Sequence, residues 1–109
     1  MGFFDLAAIA EKTPLAGIRL KAVSGEKVMM AFFDLDAGAA LPMHQHPHEQ
    51  MGVVMSGELT LTIGDETKTC RAGDTYLIPP NTPHGANVPP SGPAKVLDIF
   101  SPPRKDYRN

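Results

Sequence analysis

The sequence predicts an all-β protein, one small domain of short strands closed into a sandwich or barrel. Three observations carry this. The 109 residues include eleven prolines and ten glycines, so apolar runs stay short. Turn signals recur at roughly the eight-to-twelve-residue spacing of all-β folds. Leu59, Leu61 and Ile63 alternate with Thr60 and Thr62, the period of two that marks a strand with one buried face.

The elements follow in order. Residues 6–12 are the one stretch with a helical pattern. Residues 17–23 and 27–36 are apolar and extended, with Ser24, Gly25 and Glu26 as the hairpin loop between them. Asp36, Ala37 and Gly38 form the next turn. Residues 50–55 and 58–63 flank Ser56-Gly57, a tight hairpin signal. Gly64, Asp65 and Glu66 turn into residues 67–71, and Ala72, Gly73 and Asp74 turn into residues 75–78. Residues 84–88 and 94–100 are the last strands, separated by the proline-rich turn 89–93. Barrel residues thus run from about 17 to 100, and residues 101–109 read as a polar tail.

Composition excludes several classes. The chain is 42% hydrophobic and 20% charged, ordinary for a globular protein. Its net charge of −2, without a basic cluster, gives no footprint for nucleic acid. Cys70 is the only cysteine, which fits a reducing cytoplasm and a packed thiol. The start, MGFFDLAAIAEK, lacks the basic-then-apolar pattern of a signal peptide, and no run is long enough to span a bilayer. Met1-Gly2 resembles a myristoylation start, but Leu6 stands where that pattern wants Ser or Thr.

The chemistry concentrates in HQHPHEQ, residues 44–50. On an extended strand His44 and His46 share a face, and Gln50 has the same parity. His84 follows the rigid turn Pro79-Pro80-Asn81-Thr82-Pro83. All four can donate a lone pair to a divalent cation: imidazole suits Zn, Fe, Ni and Cu, and an amide oxygen is a neutral hard donor. His48 is expected beside the ligands or at the surface, because Pro47 bends the chain, and Glu49 is expected in solvent. A ligating histidine needs an acceptor for its other ring nitrogen, and no residue pattern identifies it. On the last strand Val96, Asp98 and Phe100 share one face. A carboxylate there is costly to bury unless paired, so Asp98 is a candidate for the same cavity as the metal. Ser101-Pro102-Pro103 is a stiff connector able to fold Arg104 over the barrel mouth.

The spacing is Gly38, five residues, His44-Gln45-His46, three residues, Gln50, six residues, Gly57; then Gly73, five residues, Pro79, one residue, Asn81, two residues, His84. This resembles the two-part signature of the cupins, jelly-roll barrels that hold a divalent metal in the lumen. Two positions depart from it. Gln50 replaces the usual Glu, leaving a neutral shell and a stronger Lewis acid. Asn81 replaces the usual Gly and tolerates the same positive φ. HQHPHEQ, MSGELTLTIGDE, AGDTYLIPPNTPHGA and LDIFSPPRKDY together look like the KdgF pectin-degradation family. That resemblance implies ring opening of 4,5-unsaturated uronate monosaccharides to the linear keto-deoxyuronate. It implies one divalent metal (Ni, Zn, Mn or Fe) on His44, His46, Gln50 and His84, and activity residues at Asp98, Phe100 and Arg104. The expected partner is a small-molecule sugar acid, not nucleic acid or a membrane. A metal-dependent oxygenase or lyase, or a non-catalytic sugar-binding cupin, are the alternatives, because fold alone does not decide function.

A homodimer is expected. The core of a chain this short is small, and residues 17–23 and 27–36 carry more apolar residues than one sheet face needs. Light scattering at micromolar concentration should give twice the monomer mass; the monomer mass contradicts the expectation.

Overall fold

A computed structural model describes residues 2–108; the two ends of the sequence-assigned domain, Met1 and Asn109, lie outside the described residues. Ten strands form two antiparallel sheets. In chain order they are β1 (Lys12–Leu15), β2 (Ile18–Ser24), β3 (Met29–Leu35), β4 (Ala40–His44), β5 (Glu49–Ser56), β6 (Glu58–Ile63), β7 (Glu66–Arg71), β8 (Thr75–Ile78), β9 (His84–Asn87) and β10 (Ala94–Ser101). The larger sheet has the order β1-β2-β3-β10-β5-β8, and the smaller the order β4-β9-β6-β7. From β3 onward every connection except the β6–β7 hairpin carries the chain from one sheet to the other. That is the jelly-roll path, and it makes the two inner faces the walls of one lumen.

The alternation read in the sequence sets the faces. β2 and β10 alternate buried and less buried residues along their length. Ile18, Leu35, Val54, Leu59, Leu61 and Val96 form the main core between the sheets. A second cluster of Leu20, Ala22, Met29, Ala31 and Phe100 closes one end. On the outer face of the larger sheet Val23, Met30, Ile99, Met51 and Leu77 lie side by side in register across five strands. Four of these, Met30, Ile99, Met51 and Leu77, are exposed. The apolar surplus of the early strands thus lies on an outer sheet face. Among the described residues no helix is long and apolar enough to cross a membrane.

Three local expectations are corrected. The helical pattern at residues 6–12 yields only one 3-10 turn, Leu6–Ala8, capped by the Asp5 carboxylate accepting from the Ala7 N–H at 3.1 Å. Lys12 instead begins β1, which pairs with β2 and so gains ladder bonds that an isolated short helix lacks. Ser56-Gly57 is a corner, not a hairpin: β5 and β6 belong to different sheets. Gly57 has φ 74°, and a side chain there would overlap the Pro93 carbonyl and Ala94 at the start of β10. The polar tail is tied down. Ser101 extends β10, Pro103 is buried, and Lys105–Tyr107 form a second 3-10 turn. Tyr107 packs edge-on against Phe33 and Phe100, with ring centroids 5.9 and 5.8 Å away. The Arg108 guanidinium donates to the Gly25 carbonyl at 3.1 Å. Asn81 does take the positive φ expected of it, 59°.

Candidate metal centre and its pocket

His44 ends β4 and His84 begins β9, and the two are register partners in the smaller sheet. Their rings lie 4.2 Å apart between centroids. His46 lies in the crossing between sheets, and Gln50 is on β5 in the larger sheet. His44, His46 and Gln50 therefore do not share a face of one strand, contrary to the expectation from parity. They meet because the chain changes sheets at residues 45–48 and both inner faces look into the same lumen.

Each imidazole is oriented by a backbone carbonyl two residues away. The Nδ1 of His44 bonds the Pro42 carbonyl at 2.9 Å, that of His46 the His48 carbonyl at 3.2 Å, and that of His84 the Thr82 carbonyl at 2.8 Å. A carbonyl only accepts, so each Nδ1 carries the proton and each Nε2 keeps a bare lone pair. One ring nitrogen from each of the three lies within 4.8 Å of the other two. These carbonyls are the acceptors that the residue pattern left unidentified.

The fourth donor is oriented too. The Gln50 amide lies near the Asp98 carboxyl and favours its ionised form. The N–H side of the amide therefore faces Asp98, and Oε1 faces the histidines, 3.1 Å from His46 Nε2. Two acceptors at that distance repel unless a proton or a cation lies between them. Burial, then Arg104 and His84, pull His46 down to about 4, so no proton stays there at neutral pH. Burial also lowers His84. The donor set, three bare imidazole nitrogens and a neutral amide oxygen, fits a divalent cation.

Asp98 lies on the inner face of β10 beside this cluster, as its strand parity predicts. Burial is the largest influence on its carboxyl and pushes it up to about 6, against opposing pulls from Tyr76, Gln50 and Arg104. The Tyr76 hydroxyl donates to Asp98 Oδ1 at 2.6 Å. Phe100 is buried two residues on, edge-on to the His46 ring at 5.8 Å between centroids. Arg104 folds back over the mouth as expected, its guanidinium 5.3 Å from the Phe100 centroid and 4.0 Å from that of Tyr107. Its Nε and Nη2 donate to the two carboxylate oxygens of Asp106, at 3.2 and 2.8 Å. One pocket is bordered by His44, Gln50, His84, Asp98, Phe100 and Arg104, and most of its remaining lining is apolar. His48 is half-buried with its ring 5.2 Å from that of His46, and Glu49 is exposed.

Tyr76, Asp106 and Tyr107 were not singled out by sequence. Gly52, a glycine inside an apolar strand, was the available signal for a close approach there.

A two-sheet barrel whose lumen gathers three imidazoles and an amide oxygen beside a pocket defines a jelly roll with a candidate metal centre. The chain belongs to the cupin domain family, whose pattern matches residues 31–100. Among solved structures, KdgF from Halomonas sp. is 30% identical, covers 99% of both chains and superposes with a TM-score of 0.89. An RmlC-like cupin from Shewanella frigidimarina is 27% identical with a TM-score of 0.90, covering 99% of this chain and 96% of that one. H2HPP isomerase of Bacillus subtilis is 44% identical over 57 residues, 51% of this chain. The chain spans only 24% of that enzyme's length.

Two outcomes are expected. The purified protein should carry about one divalent metal per chain, and elemental analysis of His46→Ala and His84→Ala should show it lost; full occupancy in both contradicts the site. The second concerns Asp98. A carboxyl at about 6 in the folded state, against its usual 3.8, favours folding below pH 3.8 and withdraws that stability as pH rises through 6. At higher pH the buried charge opposes folding by on the order of 3 kcal/mol. Metal-stripped Asp98→Asn should therefore melt above wild type at pH 8 and alongside it near pH 4. Equal melting temperatures at both pH values would contradict the burial argument.

Proposed function

We propose that this protein opens the ring of 4,5-unsaturated uronate monosaccharides, releasing the linear keto-deoxyuronate. The observation that carries this reading is the placement of Asp98, Phe100 and Arg104 around one pocket with three of the four candidate metal donors, His44, Gln50 and His84. The near-complete overlap with KdgF of Halomonas sp. at 30% identity supports it.

The chemistry suits the geometry. The substrate is a cyclic hemiacetal bearing a vinyl ether and a carboxylate. Opening it removes the proton of the anomeric hydroxyl, forms the carbonyl, and breaks the bond to the ring oxygen, which leaves as an enolate. His44, His46, Gln50 and His84 would hold a divalent metal, which would supply Lewis acidity to developing oxygen charge. Asp98 takes the hydroxyl proton and can return it to carbon as the enolate becomes a ketone. Burial holds its carboxyl at about 6, within reach of both protonation states near neutral pH. A bound cation would draw that value down again. Arg104 faces the substrate carboxylate with the N–H groups that Asp106 leaves free. Phe100 backs the guanidinium and forms the apolar floor of the pocket.

One observation favours a second reading, an isomerase acting on a less polar acid. Below the polar rim the pocket is walled by residues such as Ile18, Leu35, Leu59 and Val96, and the Bacillus relative carries the name of a different isomerase.

The deciding assay follows the ultraviolet absorbance of the unsaturated uronate. Wild type should consume it. Asp98→Asn should keep the fold and the metal yet lose about 100- to 10,000-fold in turnover, because the amide cannot accept the proton. Arg104→Ala should raise KM with a smaller effect on kcat, because the carboxylate is held in ground and transition states alike. Near-wild-type turnover by Asp98→Asn removes Asp98 from the mechanism. Substrate left untouched by wild type with Ni, Zn, Mn and Fe in turn overturns the uronate assignment and leaves the second reading.

A further inference from the structure

β10, β5 and β8 are neighbours in the larger sheet, and one cross-strand row contains Asp98, Gly52 and Tyr76 in that order. Side chains that share a row and a face are normally separated by the side chain of the strand between them. Here the middle residue has none. A Cβ built on Gly52 would overlap both Asp98 Oδ1 and the Tyr76 ring and hydroxyl. The tyrosine and the carboxylate fill that vacant space and meet over the glycine, with the hydroxyl 2.6 Å from Oδ1. The φ of Gly52 is not positive, so the backbone there does not itself demand glycine. The demand comes from the two side chains that cross it.

We propose that Tyr76 is a positioning residue for Asp98, acting through the notch that Gly52 leaves in the sheet. Its hydroxyl claims Oδ1 and so sets the rotation of the carboxyl group. Oδ2 is then the oxygen that Tyr76 leaves free. Without that bond nothing holds Oδ1 over the glycine, and the carboxyl is free to turn. The catalytic consequence rests on the ring-opening reading, but the positioning itself does not. Asp98 is also the partner that orients Gln50, so the row couples the proton-moving group to the amide donor of the metal cluster.

Tyr76→Phe is the probe, since it removes one oxygen atom and leaves the ring packed. Crystal structures of wild type and Tyr76→Phe at one pH should show the Asp98 carboxyl turned away from its wild-type rotamer. That comparison needs no substrate. With the unsaturated uronate, Tyr76→Phe should lower kcat about 10- to 100-fold with KM little changed. Metal content measured in each protein separates this from loss of metal. In an Asp98→Asn background the same substitution should cost nothing further. An Asp98 that stays in place without the hydroxyl, or an equal kcat loss in both backgrounds, overturns the proposal. Should wild type leave the uronate untouched, the ring-opening reading falls and the crystallographic comparison alone decides the positioning of Asp98.

Discussion

Three protonated Nδ1 atoms tied to three backbone carbonyls are the constraint on which the rest of the site depends. Each bond spans two residues, His44 to Pro42, His46 to His48 and His84 to Thr82. Each leaves an imidazole with its bare nitrogen turned inward. Converging lone pairs in a buried space is unfavourable for the apoprotein and favourable for a cation. The rigid segments on either side maintain it. Pro79, Pro80 and Pro83 stiffen the approach to His84, and the Asn81 N–H bonds the His46 carbonyl at 2.8 Å. The two halves of the motif are thus linked directly through the backbone.

Around that centre the protein tolerates a second unfavourable group. Asp98 stands in the middle of β10, flanked in register by Ala31 on β3 and Gly52 on β5. The two small neighbours leave room for the carboxyl. Tyr76 and the Gln50 amide supply donors, and both favour its ionised form, yet burial outweighs them. A stable fold would be easier with an apolar residue at this place. A buried carboxylate beside a candidate metal centre is the arrangement that the proposed proton transfer calls for.

The C-terminal segment serves fold and pocket together. Tyr107 lies edge-on to Phe33 and Phe100 and face-on to the Arg104 guanidinium. Asp106 holds one edge of that guanidinium. Arg104 is therefore aimed before any ligand arrives, which reduces the ordering cost of binding an anion. The same aromatic cluster reaches His46 through Phe100, so rim, floor and metal cluster form one packed unit.

The sequence by itself determined eight of the ten strands, all but β1 and β4, the shared face of Val96, Asp98 and Phe100, and the four candidate donors, because period-two alternation, proline-rich turns and ligand spacing are local properties. It also determined the turn at Asn81, since few residues other than glycine accept a positive φ. Only the tertiary structure decided how the donors meet. Gln50 and His44 lie on different sheets, and the parity that seemed to unite them is irrelevant across a change of sheet. Ser56-Gly57 has the composition of a hairpin, but its glycine is required by the approach of β10, a contact with residues far along the chain. Neither Tyr76 nor Gly52 was marked by the ligand spacing. Their meaning arises from register across three strands, and register is a property of pairing that no single strand contains.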